Sequence, residues 1–197
     1  MLSRTLHVYS HWAKQRTGEM DAAIAFLQRH ARRLHTGPEN SRLIAGLKKR
    51  RDRLKVMARK QATMGDAAWK RSKRKMDLEW KAFEAELFTF VKKAKRRSGL
   101  QKSAFSRLAG AQAKAWKDAE RGLRVLARKI APQRRSRVSA AIQQISREAS
   151  ASRKRAAKLG KSAAFTWSVM RSALNTSRRA FDKANHQAAR SIRNALR

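Results

Sequence analysis

Arginine and lysine residues recur at helical spacing through the last third of the chain, where they could bind the phosphates of a polyanion. Between Pro132 and Arg197 there are 16 basic residues and only two acidic ones, Glu148 and Asp182. Cationic groups on successive helical turns can contact successive phosphates of a nucleic-acid backbone. The residues that we predict to bind phosphate in this region are Arg134, Arg135, Arg137, Arg153, Lys154, Arg155, Lys158, Lys161, Arg171, Arg178 and Arg179.

A second basic cluster occurs earlier in the chain. Its members are Lys48, Lys49, Arg50, Arg51 and Arg53. The whole chain carries 50 Lys and Arg residues against 13 Asp and Glu residues, a formal net charge of +37. Such an excess would repel itself in a compact fold unless a polyanion offset it. We therefore predict a nucleic acid, DNA or RNA, as the partner. It would be bound through its backbone without base readout, and the protein could also bridge or compact it.

Side chains that could support catalysis or hold a metal are few. The chain has no cysteine, which excludes disulfides, thiolate chemistry and Cys-based metal sites. His7 and His11 stand four residues apart and could share a helical face, but no third ligand accompanies them. Glu79 and Glu86 are seven residues apart, a spacing that suits ion pairs on a helix flank better than a catalytic acid and base. We predict that the protein is not an enzyme and has no cofactor or metal.

The elements that must position the basic residues are predicted to be helices. The chain has only two Pro and eight Gly, whereas the helix-forming residues Ala, Arg, Lys, Leu and Gln are abundant. Breaks fall at Thr36–Asn40, at Ser98 and Gly99, and at Pro132. We predict an all-α fold with four helical segments, over about 18–35, 41–97, 100–131 and 133–196.

An apolar stripe with steps of three and four residues runs along each predicted segment. In the second segment it passes through Ala62 and Gly65, and a continuous helix there would be roughly 85 Å long. Stripes of this length, rich in Ala and Ser, favour an elongated antiparallel coiled coil or bundle of long helices. We predict two parts, a basic N-terminal segment with a short helix over 1–36 and a long-helix domain over 37–197.

The motif Asp-x-x-Trp occurs twice, at Asp66/Trp69 and at Asp77/Trp80, 11 residues apart. Eleven residues are almost three helical turns, so the two Trp side chains fall on one face of a helix. This spacing predicts that they are core residues and not platforms for stacking bases. The same interpretation applies to the other aromatic residues at helical spacing, Phe83, Phe90, Trp116, Trp167 and Phe181.

The stretch Gly65–Leu87 resembles small bacterial stress-associated coiled-coil proteins that carry a Gly-Asp-Ala-Trp repeat at helix ends. Its 11-residue amphipathic spacing is also similar to that of exchangeable apolipoproteins and other lipid-surface helices. The second resemblance implies an alternative function, in which the apolar stripe enters an anionic membrane surface and the basic residues contact its headgroups. A third alternative is a structural scaffold for an acidic protein partner.

The uncharged runs are too short for a membrane span. Ser162–Met170, for example, has nine residues, about half of what a transmembrane helix needs. We predict a cytoplasmic or nucleoid location, while the basic and hydroxylated residues 1–16 could also direct import into mitochondria. We further expect self-association or assembly within a larger complex.

Overall fold

Helix-forming residues dominate the chain, and the fold is all-α as predicted. The computed structural model describes residues 6–34, 38–61, 66–93, 98–161 and 166–195. Within those ranges the chain forms six α-helices and one short 3₁₀ turn. The helices are α1 (Leu6–Leu34), α2 (Pro38–Gln61), α3 (Asp66–Lys93), α4 (Ser98–Arg128), α5 (Arg135–Lys161) and α6 (Trp167–Ala195).

The prediction of one helix over 41–97 is wrong, because this segment forms two helices, α2 and α3, packed as an antiparallel hairpin. Arg50 of α2 lies against Glu86 of α3, with 2.7 Å between Nη2 and Oε1. In one straight helix these residues would lie about 54 Å apart. Ala62 and Gly65, which the predicted stripe included, lie outside the described residues. An apolar stripe indicates which face is buried, but it does not indicate where the chain reverses.

The predicted segment 133–196 likewise forms two helices, α5 and α6, in a second antiparallel hairpin. Ser152 of α5 donates a hydrogen bond to the hydroxyl oxygen of Ser177 of α6, at 2.5 Å. The two stripes thus face each other across the hairpin instead of continuing along one helix. Residues 162–165 and 196–197 lie outside the described residues.

Each of the other two predicted segments corresponds to one helix. α1 begins at Leu6, well before the predicted start near residue 18. The apolar pattern missed this part of the helix because its buried face there includes polar side chains, those of His11, Gln15 and Arg16. α4 covers Ser98–Arg128, and the predicted break at Pro132 is confirmed. Ala131 has the extended backbone that precedes proline (φ −55°, ψ 140°), and a 3₁₀ turn, Pro132–Arg134, leads into α5.

Four helices form a row in the order α2, α1, α4, α5, in which each packs against the next. α3 packs on α1 and α2, α6 packs on α1, α4 and α5, and Arg178 of α6 pairs with Glu84 of α3, so these two helices lie on the same side of the row. In the first half of the chain α2 packs against α1 and α3, and in the second half α5 packs against α4 and α6. Contacts of α1 with α4 and α6 join the halves. The basic helices α2 and α5 therefore form the two outer edges of the row.

Apolar side chains from all six helices form two core clusters. The first is built mainly around α1, α2 and α3 and includes Met20, Leu47 and Met76. The second lies between α4, α5 and α6 and includes Ile145 and Ile192. Since α1 contributes to the first cluster, it packs as an integral part of the bundle. The predicted division of the chain near residue 36 stays a prediction.

The predicted core role of the aromatic residues is confirmed. The side chains of Trp69, Trp80, Phe83, Trp116 and Phe181 are buried, and those of Phe90 and Trp167 are half-buried. The Trp69 ring meets the Trp12 ring edge to face, with 6.0 Å between their centroids. Such packing leaves these rings unavailable for stacking on bases unless the bundle opens.

Candidate polyanion-binding surface

Helix α5 carries the densest set of exposed cations. Its apolar side chains Val138, Ile142 and Ile145 face inward, so its charged side chains point to solvent. In the part of the chain that the structure describes, no cation of this helix takes part in an ion pair. The exposed cations are Arg135, Arg137, Arg147, Arg153, Lys154, Arg155, Lys158 and Lys161. Glu148 is the only acidic residue of the helix.

The C-terminal half of α5 brings together five of the residues that the sequence predicted. Arg153, Lys154, Arg155, Lys158 and Lys161 are all exposed. A helix rises 1.5 Å per residue, so Lys154, Lys158 and Lys161 follow one another at intervals of about 6 and 4.5 Å along one side. This interval lets one extended anion contact several of them together. We name the exposed cations Arg137, Arg147, Arg153, Lys154, Arg155, Lys158 and Lys161 the α5 face.

The N-terminal end of α5 divides its arginines between two roles. Arg137, and Arg134 in the 3₁₀ turn that precedes the helix, are exposed. Arg135 instead donates from Nε to the carbonyl oxygen of Ile130 at 2.6 Å, and from Nη2 to that of Arg128 at 3.3 Å. It satisfies backbone acceptors at the end of α4, where a cation is favoured. Arg135 therefore has a structural role here, and we leave it out of the α5 face.

Helix α6 adds exposed cations beside α5. Arg171 is exposed and its guanidinium carbon lies 4.5 Å from the centroid of the Phe88 ring. Arg179 is exposed as predicted, and Lys183 and Arg190 follow it on the same side of the helix. The sequence prediction missed Lys183 and Arg190, because they stand alone and not in a run. Their positions four and eleven residues after Arg179, which fall on the same side of a helix, were the available signal.

Arg178 requires a correction, because it is buried inside the bundle and does not belong to a polyanion-binding surface. Only 4% of this residue is exposed. Its Nη2 lies 2.6 Å from Oε2 of Glu19 in α1, and its Nη1 pairs with Glu84 of α3. Burial alone would lower the pKa of an arginine, but the charges of Glu19 and Glu84 outweigh it, and the pKa of Arg178 is raised.

The surroundings of Arg178 form a buried ionic network that joins α1, α3 and α6. Gln112 of α4 donates to Oε2 of Glu19 at 3.1 Å. One turn away, Arg16 of α1 pairs with Asp182 of α6 at 2.8 Å. The Trp80 ring lies within 5.5 Å of the guanidinium carbons of both Arg16 and Arg178. Each of these carboxylates faces a cation, an arrangement that can fix the register of the packed helices.

The predicted cluster on α2 separates into paired and unpaired cations. Arg50 pairs with Glu79 and Glu86 of α3, and Arg53 with Glu79 at 3.3 Å. A hydrogen bond from Arg50 to Glu86 is the main reason that the pKa of Arg50 is raised. These pairs attach α2 to α3. They also reduce the positive charge that α2 presents to a ligand.

Arg51, on the side of α2 that faces α1, also forms an ion pair with an acidic residue. It pairs with Asp21 of α1 at 2.7 Å, and this hydrogen bond is the main cause of its raised pKa. It also contacts its neighbour Asp52. Of the predicted cluster, Lys49 is exposed and Lys48 half-buried, and neither takes part in an ion pair with a described residue.

The described residues include no group of three His, Cys, Asp or Glu side chains placed to hold a metal ion. His11 is buried, and the side chain of His7 lies outside the described ones. In the same ranges, no helix combines the length and the apolar character that crossing a bilayer requires.

No protein-family model, curated protein or solved structure matches the chain. The resemblance of Gly65–Leu87 to stress-associated coiled-coil proteins therefore stays a prediction.

Proposed function

We propose that this protein binds DNA or RNA through the phosphate backbone, without reading base sequence, and that the α5 face makes the main contact. The observation that carries the proposal is the contrast between the two basic helices. Every cation of the α5 face is exposed, and none makes an ion pair with a described residue, although the charge of Arg153 helps to lower the pKa of Glu120. In α2, by contrast, Arg50, Arg51 and Arg53 form ion pairs with acidic residues. When the cations of the α5 face bind phosphates they release counterions from the nucleic acid, and no ion pair within the protein has to break first.

Exposed cations of α6 extend the proposed contact. α5 and α6 are antiparallel neighbours, and Arg179, Lys183 and Arg190 lie on the exposed side of α6. Together the two helices offer a surface about 40 Å long, as expected from helices of 27 and 29 residues. A cytoplasmic or nucleoid location would give this surface access to nucleic acid, and we propose such a location.

The lipid-surface alternative uses the apolar stripes, and those stripes are packed in the two core clusters. Insertion into a membrane would require the bundle to open and the ionic network around Arg178 to break. Phosphate binding by the α5 face requires no such change. This difference is our reason for preferring nucleic acid to lipid.

Binding should be measured in parallel on duplex DNA, on RNA and on anionic vesicles, with the folded protein and a series of salt concentrations. We expect micromolar or tighter binding to nucleic acid that weakens steeply with salt. Preferential binding to vesicles that persists at high salt and changes the helix content would support the lipid alternative instead. Failure to bind any of the three would point to an acidic protein partner and would contradict our proposal.

A further inference from the structure

The second half of the chain repeats the arrangement of the first. In each half, an inner helix (α1 or α4) packs against an edge helix (α2 or α5), and a third helix (α3 or α6) packs against both. Trp69 and Phe83 are 14 residues apart in α3, and Trp167 and Phe181 are 14 residues apart in α6, with each Trp in the first turn of its helix. Phe83 and Phe181 are both fully buried in their own core clusters.

The two halves meet through α1 and α4, which run antiparallel. Glu19 lies near the middle of α1, Gln112 lies near the middle of α4, and these two side chains are hydrogen bonded at 3.1 Å. Two antiparallel helices that touch at their midpoints are related by an approximate two-fold axis through the contact. This axis exchanges the two halves, and it therefore exchanges the edge helices α2 and α5.

An approximate two-fold axis of this kind places α2 and α5 at opposite edges of the molecule. Neighbouring helix axes are typically 8–10 Å apart, so two intervening helices separate α2 from α5 by about 25–30 Å. A straight segment of nucleic acid that runs along one edge helix therefore does not contact the other edge helix.

The edge formed by α2 and α3 keeps a set of exposed cations after its ion pairs are counted. The acidic residues Asp77, Glu79 and Glu86 are occupied by Lys73, Arg50 and Arg53. Eight further cations on these helices are exposed and make no ion pair with any described residue: Arg42, Lys49, Arg59, Arg71, Arg74, Lys75, Lys81 and Lys92. We name the first six of them the α2/α3 edge.

We infer that one molecule binds two separate nucleic-acid segments at once, one on the α5 face and the other on the α2/α3 edge. The inference rests on the proposed function, since both surfaces are taken to bind phosphate. The α5 face is the stronger of the two, because the α2/α3 edge also exposes Glu39 and Asp52. The molecule therefore bridges two duplexes as a monomer, with its bundle as the spacer.

The inference is tested by capture of a fluorescent duplex on beads that carry a second duplex, alongside direct binding to one duplex. Three variants with equal charge change are compared with the unmodified chain: R42E/K49E/R59E/R74E on the α2/α3 edge, R153E/K154E/R155E/K158E on the α5 face, and K14E/R29E/R107E/K114E as a control. The control residues are exposed and flank the open groove between α1 and α4. Circular dichroism and thermal melting confirm that each variant folds.

The α2/α3-edge variant should bind a single duplex within about fivefold of the unmodified chain and lose at least about tenfold in capture of the second. The control should keep both activities. Unchanged capture by the α2/α3-edge variant would overturn the inference, as would binding of one duplex by the unmodified chain with no capture of a second. The last result would leave the proposed function intact, whereas failure to bind even one duplex would remove both.

Discussion

The guanidinium of Arg178 lies 2.6 Å from the carboxylate of Glu19, and both side chains are buried between α6 and α1. Glu84 of α3 contacts the same guanidinium, so a single arginine joins three helices. A charged group in such a position is tolerated only when its partners are present. The pair therefore specifies how the second half of the chain docks on the first.

Replacing Arg178 by Met should destabilise the protein by about 3–5 kcal/mol, because Glu19 would stay buried without a cation. Urea unfolding followed by circular dichroism measures this change. The double variant E19Q/R178M should lose less than R178M, since its buried carboxylate is gone. A loss below about 1 kcal/mol for R178M would show that the network does not hold the helices together.

The hairpin of α2 and α3 predicts a short distance between positions 45 and 85. Ala45 and Ala85 are both exposed. Their neighbours Gly46 and Glu86 lie close together across the hairpin, since a Cβ atom at position 46 would be 3.9 Å from Oε2 of Glu86. Spin labels on A45C and A85C, in a chain that has no other cysteine, should lie within about 25 Å, since packed helix axes are 8–10 Å apart. A continuous helix over 41–97 would separate them by about 60 Å.

Trp69 should contribute to stability and not to binding. Its ring is buried against Trp12, and Trp69→Ala should cost about 3–5 kcal/mol of unfolding free energy. Affinity for duplex DNA, measured where the variant is still folded, should change by less than about threefold. Loss of affinity as large as that caused by reversing the charges of Arg153, Lys154, Arg155 and Lys158 would contradict this division of roles.

Glu120 should make the stability of the α4–α5 contact depend on pH. Hydrogen bonds from Arg124 and from Ser146 of α5 lower its pKa below the ordinary value of 4.5. A carboxylate with a lowered folded-state pKa stabilises the fold above its unfolded-state pKa, and this contribution disappears as pH falls through the folded-state pKa. Glu120→Gln should therefore cost up to about 1 kcal/mol at neutral pH and nothing in acid. An equal cost at both pH values would show that its charge has no part in the effect.

The helical class and the buried aromatic residues could be predicted from the sequence because they depend on local periodicity. Trp80 and Phe83 repeat the apolar stripe, and their burial follows from it. The chain reverses between α2 and α3 and between α5 and α6. The sequence there contains no proline, and the prediction missed both reversals. At Pro132, where proline removes a backbone donor, the break was predicted correctly.

The burial of Arg178 could not be predicted from its charge and its neighbours in sequence. Arg178 sits beside Ser177 and three residues before Phe181, on the stripe that faces the core, and its partners Glu19 and Glu84 are distant in sequence. Arg50 was assigned to the ligand surface for the same reason, since Glu86 approaches it only through the hairpin. By contrast, the α5 cations lie opposite the buried stripe of a helix with one acidic residue, and periodicity placed them on the surface correctly.

The central claim, that the α5 face binds phosphates, is tested most directly by the salt dependence of duplex binding. The logarithm of the binding constant should fall linearly with the logarithm of salt concentration for the unmodified chain. The variant R153E/K154E/R155E/K158E should bind at least about 100-fold more weakly at low salt, with a slope shallower by about 3 to 4, as expected for four lost phosphate contacts. An equal slope for this variant, with affinity no lower than that of K14E/R29E/R107E/K114E, would contradict the claim.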